Sequence, residues 1–216
     1  MMQASSRRGI LFVISAPSGA GKTSLARGVV QSRDDLAFSV SYTTRPRRSG
    51  EEQGREYHFI DDAEFDRMLR DDAFLEWAEV FGARYGTGRA ETDRGLADGR
   101  DLVLDVDVQG AEQIQRRAGG DAVLIFVLPP DYPTLEKRLR ERAREGDREV
   151  SRRLAEAGRE VRQHSRYDYL VVNDDLEQAV RVLDGVVTAE RHRAGRLETE
   201  AERILNTFPP LGGSDG

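Results

Sequence analysis

Lys22 and Thr23 carry the clearest chemistry in the chain, because of what precedes them. They end the stretch ILFVISAPSGAGKT, Ile10 to Thr23, in which an apolar, β-branched run gives way to the small residues Ala16, Pro17, Ser18, Gly19, Ala20 and Gly21. The spacing follows G-x-x-x-x-G-K-[ST]. In that pattern successive backbone N–H groups and a helix N-terminus, here with Ser24, surround phosphates, the lysine reaches the β and γ oxygens, and the hydroxyl ligates Mg²⁺. Ala16 holds the first glycine position, where an unusual backbone angle is expected to be wanted; Gly19 and Gly21 keep the loop permissive. An ordinary turn would explain the small residues but not the lysine. The chain has only two lysines, Lys22 and Lys137, among 33 basic side chains.

Three further groups suit the same chemistry. Tyr42 to Glu51, YTTRPRRSGE, packs hydroxyls and guanidiniums, Arg45 and Arg48 among them, into a Pro/Gly loop. Arginine offers a planar bidentate fork to phosphate and the hydroxyls add hydrogen bonds, although a polar surface loop fits the stretch equally well. Asp105 and Asp107 tip the apolar run Asp101 to Gly110; two apart, they are expected on one face of a strand at its C-terminal end. There an acid beside a phosphate loop can hold Mg²⁺ or its waters. Arg138 and Arg142 stand four apart on a helical segment, and Arg153 follows a break at Glu145-Gly146-Asp147. A helical hairpin with its arginines inward could close over a triphosphate. Because Glu136, Glu141 and Glu145 interleave, a salt-bridged surface helix fits the same spacing. Glu76, inside the otherwise apolar Phe74 to Val80, reads in isolation as the solvent side of a strand, while Trp77 and Phe81 read as packing residues.

These groups need a scaffold. The runs at Ile10–Ile14, Asp101–Gly110, Ala122–Leu128 and Tyr169–Asn173 alternate with helical patterns, which predicts an α/β fold with a three-layer, parallel sheet. Shorter strands are expected at Ala37–Ser41 and Gly54–Ile60, and a helix capped by Asp61 or Asp62. From Asn173 the chain reads as helical to about Phe208, with Leu176, Val180, Leu183 and Val187 on one face, before a disordered tail. The 216 residues, 38% of them hydrophobic, suffice for one sizeable core without repeats or linkers. A single domain is expected, with residues 8–36, 90–130 and 168–208 as core, 37–89 as an inserted subdomain, 131–167 as a lid and 209–216 as tail.

Composition excludes several classes. There is no cysteine, so disulfides and thiolate metal sites are absent, and His58, His164 and His192 lack metal-ligand spacing. No apolar run approaches the roughly 20 residues of a membrane span, and no signal-peptide segment precedes the first strand; the cytoplasm is the expected compartment. The net charge of −6 argues against coating nucleic acid, so anionic ligands must be met by local arginine clusters.

In order along the chain, APSGAGKT, SVSYTTRPRRSGE, GREYHF, FLEWAEVFGARYGT, LDVDVQG, EKRLRER, SRRL and VVNDD resemble one family, the guanylate kinases, over roughly residues 8 to 190. The resemblance implies a P-loop NTPase-type fold with an inserted GMP-binding subdomain and a helical lid, and the reaction of ATP with GMP to give ADP and GDP, with Mg²⁺. By position, Ser41, Arg45, Arg48 and Tyr57 match residues that hold the GMP phosphate, and Tyr85 supports the same group. Glu76 matches the carboxylate that accepts from guanine N1–H and N2–H₂, and Thr87 the hydroxyl at O6. Lys22 with Arg138, Arg142 and Arg153 match groups on the ATP phosphates, Asn173 lies beside the adenine pocket, and Asp105 and Asp107 match family acids. No catalytic base is required, because a monophosphate whose second pKa is about 6 is largely deprotonated at neutral pH. Two other readings remain: a non-catalytic guanylate-kinase-like binding module, which characteristically lacks the intact phosphate loop present here, and a phosphate-loop kinase of a ribose bisphosphate, which has no use for Glu76 with Thr87. The expected partners are ATP and GMP, without nucleic acid or membrane, and the oligomeric state is open between monomer and homo-oligomer.

Overall fold

The computed structural model describes residues 7–80, 82–118, 122–142 and 146–209. Phe81, Glu145 and the tail beyond residue 209, each given a part above, lie outside the described residues, as does the side chain of Arg142. The architecture is α/β, organised around a five-stranded parallel sheet ordered β2-β7-β1-β8-β9: β2 (Leu36–Phe38), β7 (Asp101–Asp105), β1 (Leu11–Ser15), β8 (Ala122–Leu128) and β9 (Tyr169–Val172). Every residue of β1 is buried, as an unbroken apolar run in a sheet covered on both faces must be. Side chains alternate between the faces. Ile10, Phe12 and Ile14 pack with Leu25 and Val29 of α1 (Lys22–Gln31) and with Leu183 and Val187 of α7 (Leu176–Arg191). Leu11 and Val13 pack on the opposite face with Leu104 and with Ile114 of α4 (Val108–Ala118).

A second sheet, ordered β4-β3-β6-β5, stands beside the first: β3 (Tyr42–Thr43), β4 (His58–Phe59), β5 (Phe74–Val80) and β6 (Ala83–Gly88). Helix α2 (Asp62–Arg70), whose Asp61 cap accepts from the Glu64 N–H, joins β4 to β5, and α3 (Arg89–Ala97) returns the chain to β7. Between β8 and β9, α5 (Tyr132–Arg142) and α6 (Asp147–Val161) form a hairpin with a small core of its own, Leu135, Leu139, Val150, Leu154 and Ala157. Among the described residues, no helix is long and apolar enough to cross a membrane.

Several boundaries differ from expectation. The strand expected at Ala37–Ser41 ends at Phe38, so Ala37 and Phe38 pair in the five-stranded sheet rather than in the inserted segment, and only His58–Phe59 of Gly54–Ile60 is strand. β7 stops at Asp105. Asp107 lies beyond it, where its carboxylate accepts the Gly110 N–H at 2.8 Å and starts α4; it does not share a strand face with Asp105. The long C-terminal helix ends at Arg191, after which a 3₁₀ turn at Ala194–Arg196 leads to a separate, exposed α8 (Glu198–Leu205). The apolar stripe of α7 runs out at Val187, and Gly195 lowers helix propensity beyond it. Leu176, expected on the packed face, is 44% exposed.

Asp101, with no solvent exposure, closes the base of the sheet. It accepts from Arg7 Nη1 at 2.7 Å, Arg191 Nε at 2.6 Å and the Ile10 N–H at 2.8 Å. Burial alone would raise its pKa, but Arg7, the Ile10 N–H and Arg191 together hold it below the usual carboxylate value.

Candidate active site

The phosphate loop joins β1 to α1 through two left-handed residues, Gly19 at φ 89° and Gly21 at φ 90°, with the Ala20 N–H turned onto Pro17 O at 3.1 Å. Gly21 forms the N-cap of α1, and a Cβ there would run into the side-chain amide of Asn173, which donates to Ala20 O at 2.7 Å. Ala16 is different. Its φ lies outside the left-handed region and its methyl is buried in the core, so the unusual backbone angle anticipated at this position is not required and alanine fits.

Parallel register places Ile14 opposite Asp105, which sets that carboxylate directly beside the loop. One oxygen of Asp105 pairs with Lys22 Nζ at 2.6 Å, and the other accepts from Thr23 Oγ1 at 2.6 Å; Lys22 also donates to Val106 O. The lysine, the hydroxyl and the acid therefore form one cluster. Its oxygens are hard donors of the kind Mg²⁺ prefers, and a cation that keeps several waters and binds substrate phosphates needs no more than one or two protein oxygens.

In the second sheet the register sets Glu76 directly opposite Thr87, whose hydroxyl donates to Glu76 Oε1 at 2.6 Å. Glu76 is 4% exposed and Thr87 fully buried, so Glu76 points inward, not to solvent as the isolated strand pattern suggests. The cause is a register shift between Phe74 and Glu76, which inserts Leu75 as an extra residue and re-aims the side chain that follows. Burial pushes the Glu76 carboxyl up to about 7; the Thr87 hydroxyl and Lys22 oppose that shift and Asp107 adds to it. Trp77, expected to pack in the core or the inserted subdomain, packs in the subdomain with an edge against Phe65 while staying 37% exposed.

These groups line two adjoining cavities. One, of about 490 Å³, runs from Lys22, Thr23, Asp105 and Asp107 to Glu76 and includes Ser41, Tyr57 and Tyr85. The other, of about 390 Å³, shares Lys22, Thr23 and Asp107 and adds Ala16 to Gly19, Gly21, Ser24, Arg152 and Glu160. A third recess, of about 220 Å³, lies between Gly19, Gly21 and Ser24, Arg138 and Asn173, with Arg138 donating to Asn173 O at 3.0 Å.

The arginines differ most from expectation. Arg45 stacks over the cavity residue Tyr57, 5.5 Å from its ring centre, and pairs with Glu51 at 2.7 Å, and is not itself among the lining residues; Arg48 is exposed, with its backbone N–H on Glu51. Arg27 and Arg55 line the cavity instead. Arg27 is four residues after Thr23 on α1, a spacing that could have revealed it. On α6, Arg152 and Arg153 both pair with Glu149, at 2.6 and 2.9 Å, and Arg152 also lines the phosphate cavity. Glu160 was also missed: burial, then Glu156 and Asp107, push it up to about 7 against Lys22 and the Ser18 N–H.

Comparison with known proteins identifies this arrangement. The family model described as guanylate kinase matches residues 8–190. The chain belongs to the guanylate kinase family. It is 49% identical over 200 residues to the guanylate kinase of Syntrophotalea carbinolica, covering 93% of this chain and 95% of that one, and 43% identical over 190 residues to that of Zymomonas mobilis, covering 88% of each. The crystal structure of guanylate kinase from Anaplasma phagocytophilum superposes with a TM-score of 0.77 at 28% identity, covering 95% of this chain and 98% of that one. The part matched by the guanylate kinase model runs from before β1 almost to the end of α7, so it takes in both sheets and the α5–α6 hairpin.

Proposed function

We propose that this chain transfers the γ-phosphoryl group of ATP to the phosphate of GMP, giving ADP and GDP, with Mg²⁺ as cofactor. One observation carries the reading: a buried carboxylate beside a hydroxyl, Glu76 with Thr87, shares a cavity with the lysine of a phosphate loop. Guanine presents donors at N1 and N2 and an acceptor at O6, so the carboxylate accepts and the hydroxyl donates. Adenine lacks the N1–H and would leave the buried carboxylate unpaired, a mismatch of the kind that yields discrimination of order 10⁴–10⁵.

The remaining roles follow from position. Ser41, Tyr57 and Tyr85 hold the GMP phosphate, with Arg45 and Arg48 from their loop and Arg27 and Arg55 from the cavity wall. The loop residues Ala16 to Ser24 cradle the ATP phosphates, and Lys22 exchanges its contact with Asp105 for the β and γ oxygens. Arg138 and Asn173 flank the nucleoside end. The arginines of the hairpin, Arg152 with Arg142 and Arg153, bring positive charge to the triphosphate when residues 131–167 close as a lid over the core and the base-binding segment 37–89. Thr23, directly, and Asp105, through waters, would hold Mg²⁺, which would supply charge neutralisation for the phosphates. Phosphoryl transfer rests on in-line positioning and on stabilising equatorial oxygens, so a site without a general base suffices. The cytoplasm, which holds both substrates, is the proposed compartment.

An assay of ADP release with ATP and Mg²⁺ tests this, comparing GMP, AMP, CMP, UMP and no acceptor. Turnover that depends on GMP is expected. GMP binding without turnover would instead indicate a non-catalytic module, and no GMP binding at all would overturn the base-pocket assignment.

A further inference from the structure

Gly110 is a helical residue without a conformational reason to be glycine. It is the third residue of α4, and its φ lies outside the left-handed region, so the position accepts any L-residue as far as the backbone is concerned. Glycine weakens a helix relative to alanine. The reason is steric: a Cβ at Gly110 would stand 2.5 Å from Glu76 Oε2 and 3.2 Å from its Cδ.

The same face of α4 continues one turn on with Gln113 and a further turn on with Arg117, at i, i+3 and i+7. Both grip β5 around Glu76. β5 is the edge of the four-stranded sheet, and among the described residues no strand pairs its outer side. The Gln113 side-chain amide takes the place of a neighbouring strand for Trp77, accepting its N–H at 3.2 Å and donating to its C=O at 2.6 Å. Arg117 donates to Phe74 O at 2.7 Å and Leu75 O at 3.1 Å, the carbonyls at the register shift. The residues before and after Glu76 are thus held from one helix, and the helix has a notch where the carboxylate sits.

We infer that the stripe Gly110, Gln113 and Arg117 on α4 is the positioning device for guanine selectivity: it fixes the irregular strand β5 so that the Glu76 carboxylate meets the base, without touching substrate. The inference rests on Glu76 being the base-recognising carboxylate. A buried acid is selective only at the correct depth and angle, and a misplacement of about 1 Å in such a site can cost up to about a hundredfold.

The test uses the full-length protein and the variants Gly110→Ala, Gln113→Leu and Arg117→Met, with Glu76→Gln and the pair Glu76→Gln/Gln113→Leu alongside. Each stripe variant is expected to raise the GMP KM by roughly tenfold to a hundredfold, to leave the ATP KM within about twofold, and to lower the ratio of kcat/KM for GMP over AMP. The paired variant is expected to be little worse for GMP than Glu76→Gln alone. If Gly110→Ala does not fold, Gln113→Leu, which removes two hydrogen bonds at a partly exposed site, decides the matter. Stripe variants that melt like the parent and leave both KM values unchanged, or raise both equally, would overturn the inference. A Glu76→Gln variant that leaves the GMP KM unchanged would overturn the base-pocket reading itself. An effect of Glu76→Gln without one from the stripe removes only the positioning role.

Discussion

Replacing Glu76 by glutamine should weaken GMP binding and stabilise the protein. The carboxyl is pushed from 4.5 to about 7, chiefly by burial. A group whose folded pKa is raised binds its proton more tightly in the folded state, so the fold is favoured below the unfolded value and loses stability as pH rises towards the folded one. At about 1.4 kcal/mol per pKa unit, the ionised carboxylate costs up to about 3 kcal/mol by pH 8. Glutamine carries no such cost and can still accept from Thr87, so Glu76→Gln should melt higher at pH 8, by up to roughly 6–12 °C in a chain of this size, and much less so at pH 5. Towards GMP it loses a charge-assisted hydrogen bond worth roughly 1.5–3 kcal/mol, a rise in GMP KM of about 10- to 150-fold. The parent should also lose GMP affinity by up to about tenfold per pH unit below 7, because a protonated Glu76 offers a donor to donors. The variant should retain only the milder dependence from the GMP phosphate, whose own pKa is about 6. Coupled ADP assays at pH 6, 7 and 8, with calorimetric melting of both proteins, read all three effects. Equal changes in the GMP and ATP KM values, or a variant that melts lower at pH 8, would refute the reasoning.

Lys22→Ala should reduce kcat by roughly 10²–10³-fold, the usual loss when one preorganised charge at the transferring group is removed; a smaller loss in stopped-flow turnover would argue against its place on the transferred phosphate. Ala16→Gly should leave the ATP KM within about twofold, since no left-handed angle is needed there, and lower stability by roughly 0.5–1 kcal/mol through added freedom of the unfolded chain. Trp77 is the single tryptophan, partly exposed and adjacent to Glu76, so its fluorescence should respond to GMP and not to ATP alone. The same response to ATP alone would place the nucleotides differently.

Four of the five strands of the parallel sheet could be read directly from the sequence, because a strand buried on both faces is a near-continuous apolar run, as Leu11–Ile14 and Ala122–Leu128 are; the short β2 lacks such a run and was expected in the inserted segment. The placement of Asp107 differs from the strand pattern for a definable reason. The two-residue alternation of Asp105 and Asp107 continues past the point where the backbone leaves the sheet, and only the bond from the Gly110 N–H reveals that Asp107 has become a helix cap. Glu76 could not be oriented from alternation, since an extra residue at Leu75 reverses which face follows. The arginines were least legible. Arg45 and Arg27 are equally basic in sequence, and only tertiary packing sets Arg45 over the Tyr57 ring and Arg27 in the cavity lining. Likewise the apolar pattern of the long C-terminal helix continues only as far as Val187, after which polar contacts of Glu190 and Arg191 hold its last turn.

The carboxylate of Asp101 makes the two flanks of the matched segment part of the fold's foundation. Its two guanidinium partners, Arg7 and Arg191, fall one residue outside either limit of the matched segment 8–190. A chain trimmed to that segment would keep each proposed substrate-contacting residue, yet leave a fully buried carboxylate with the Ile10 N–H as its remaining partner here. Stripping partners from a buried charge costs about 3–5 kcal/mol, a large share of the roughly 5–15 kcal/mol that holds a domain together. The shortest chain that contains the chemistry is therefore shorter than the shortest chain that folds well, and fusions or truncations should be joined outside Arg7 and Arg191.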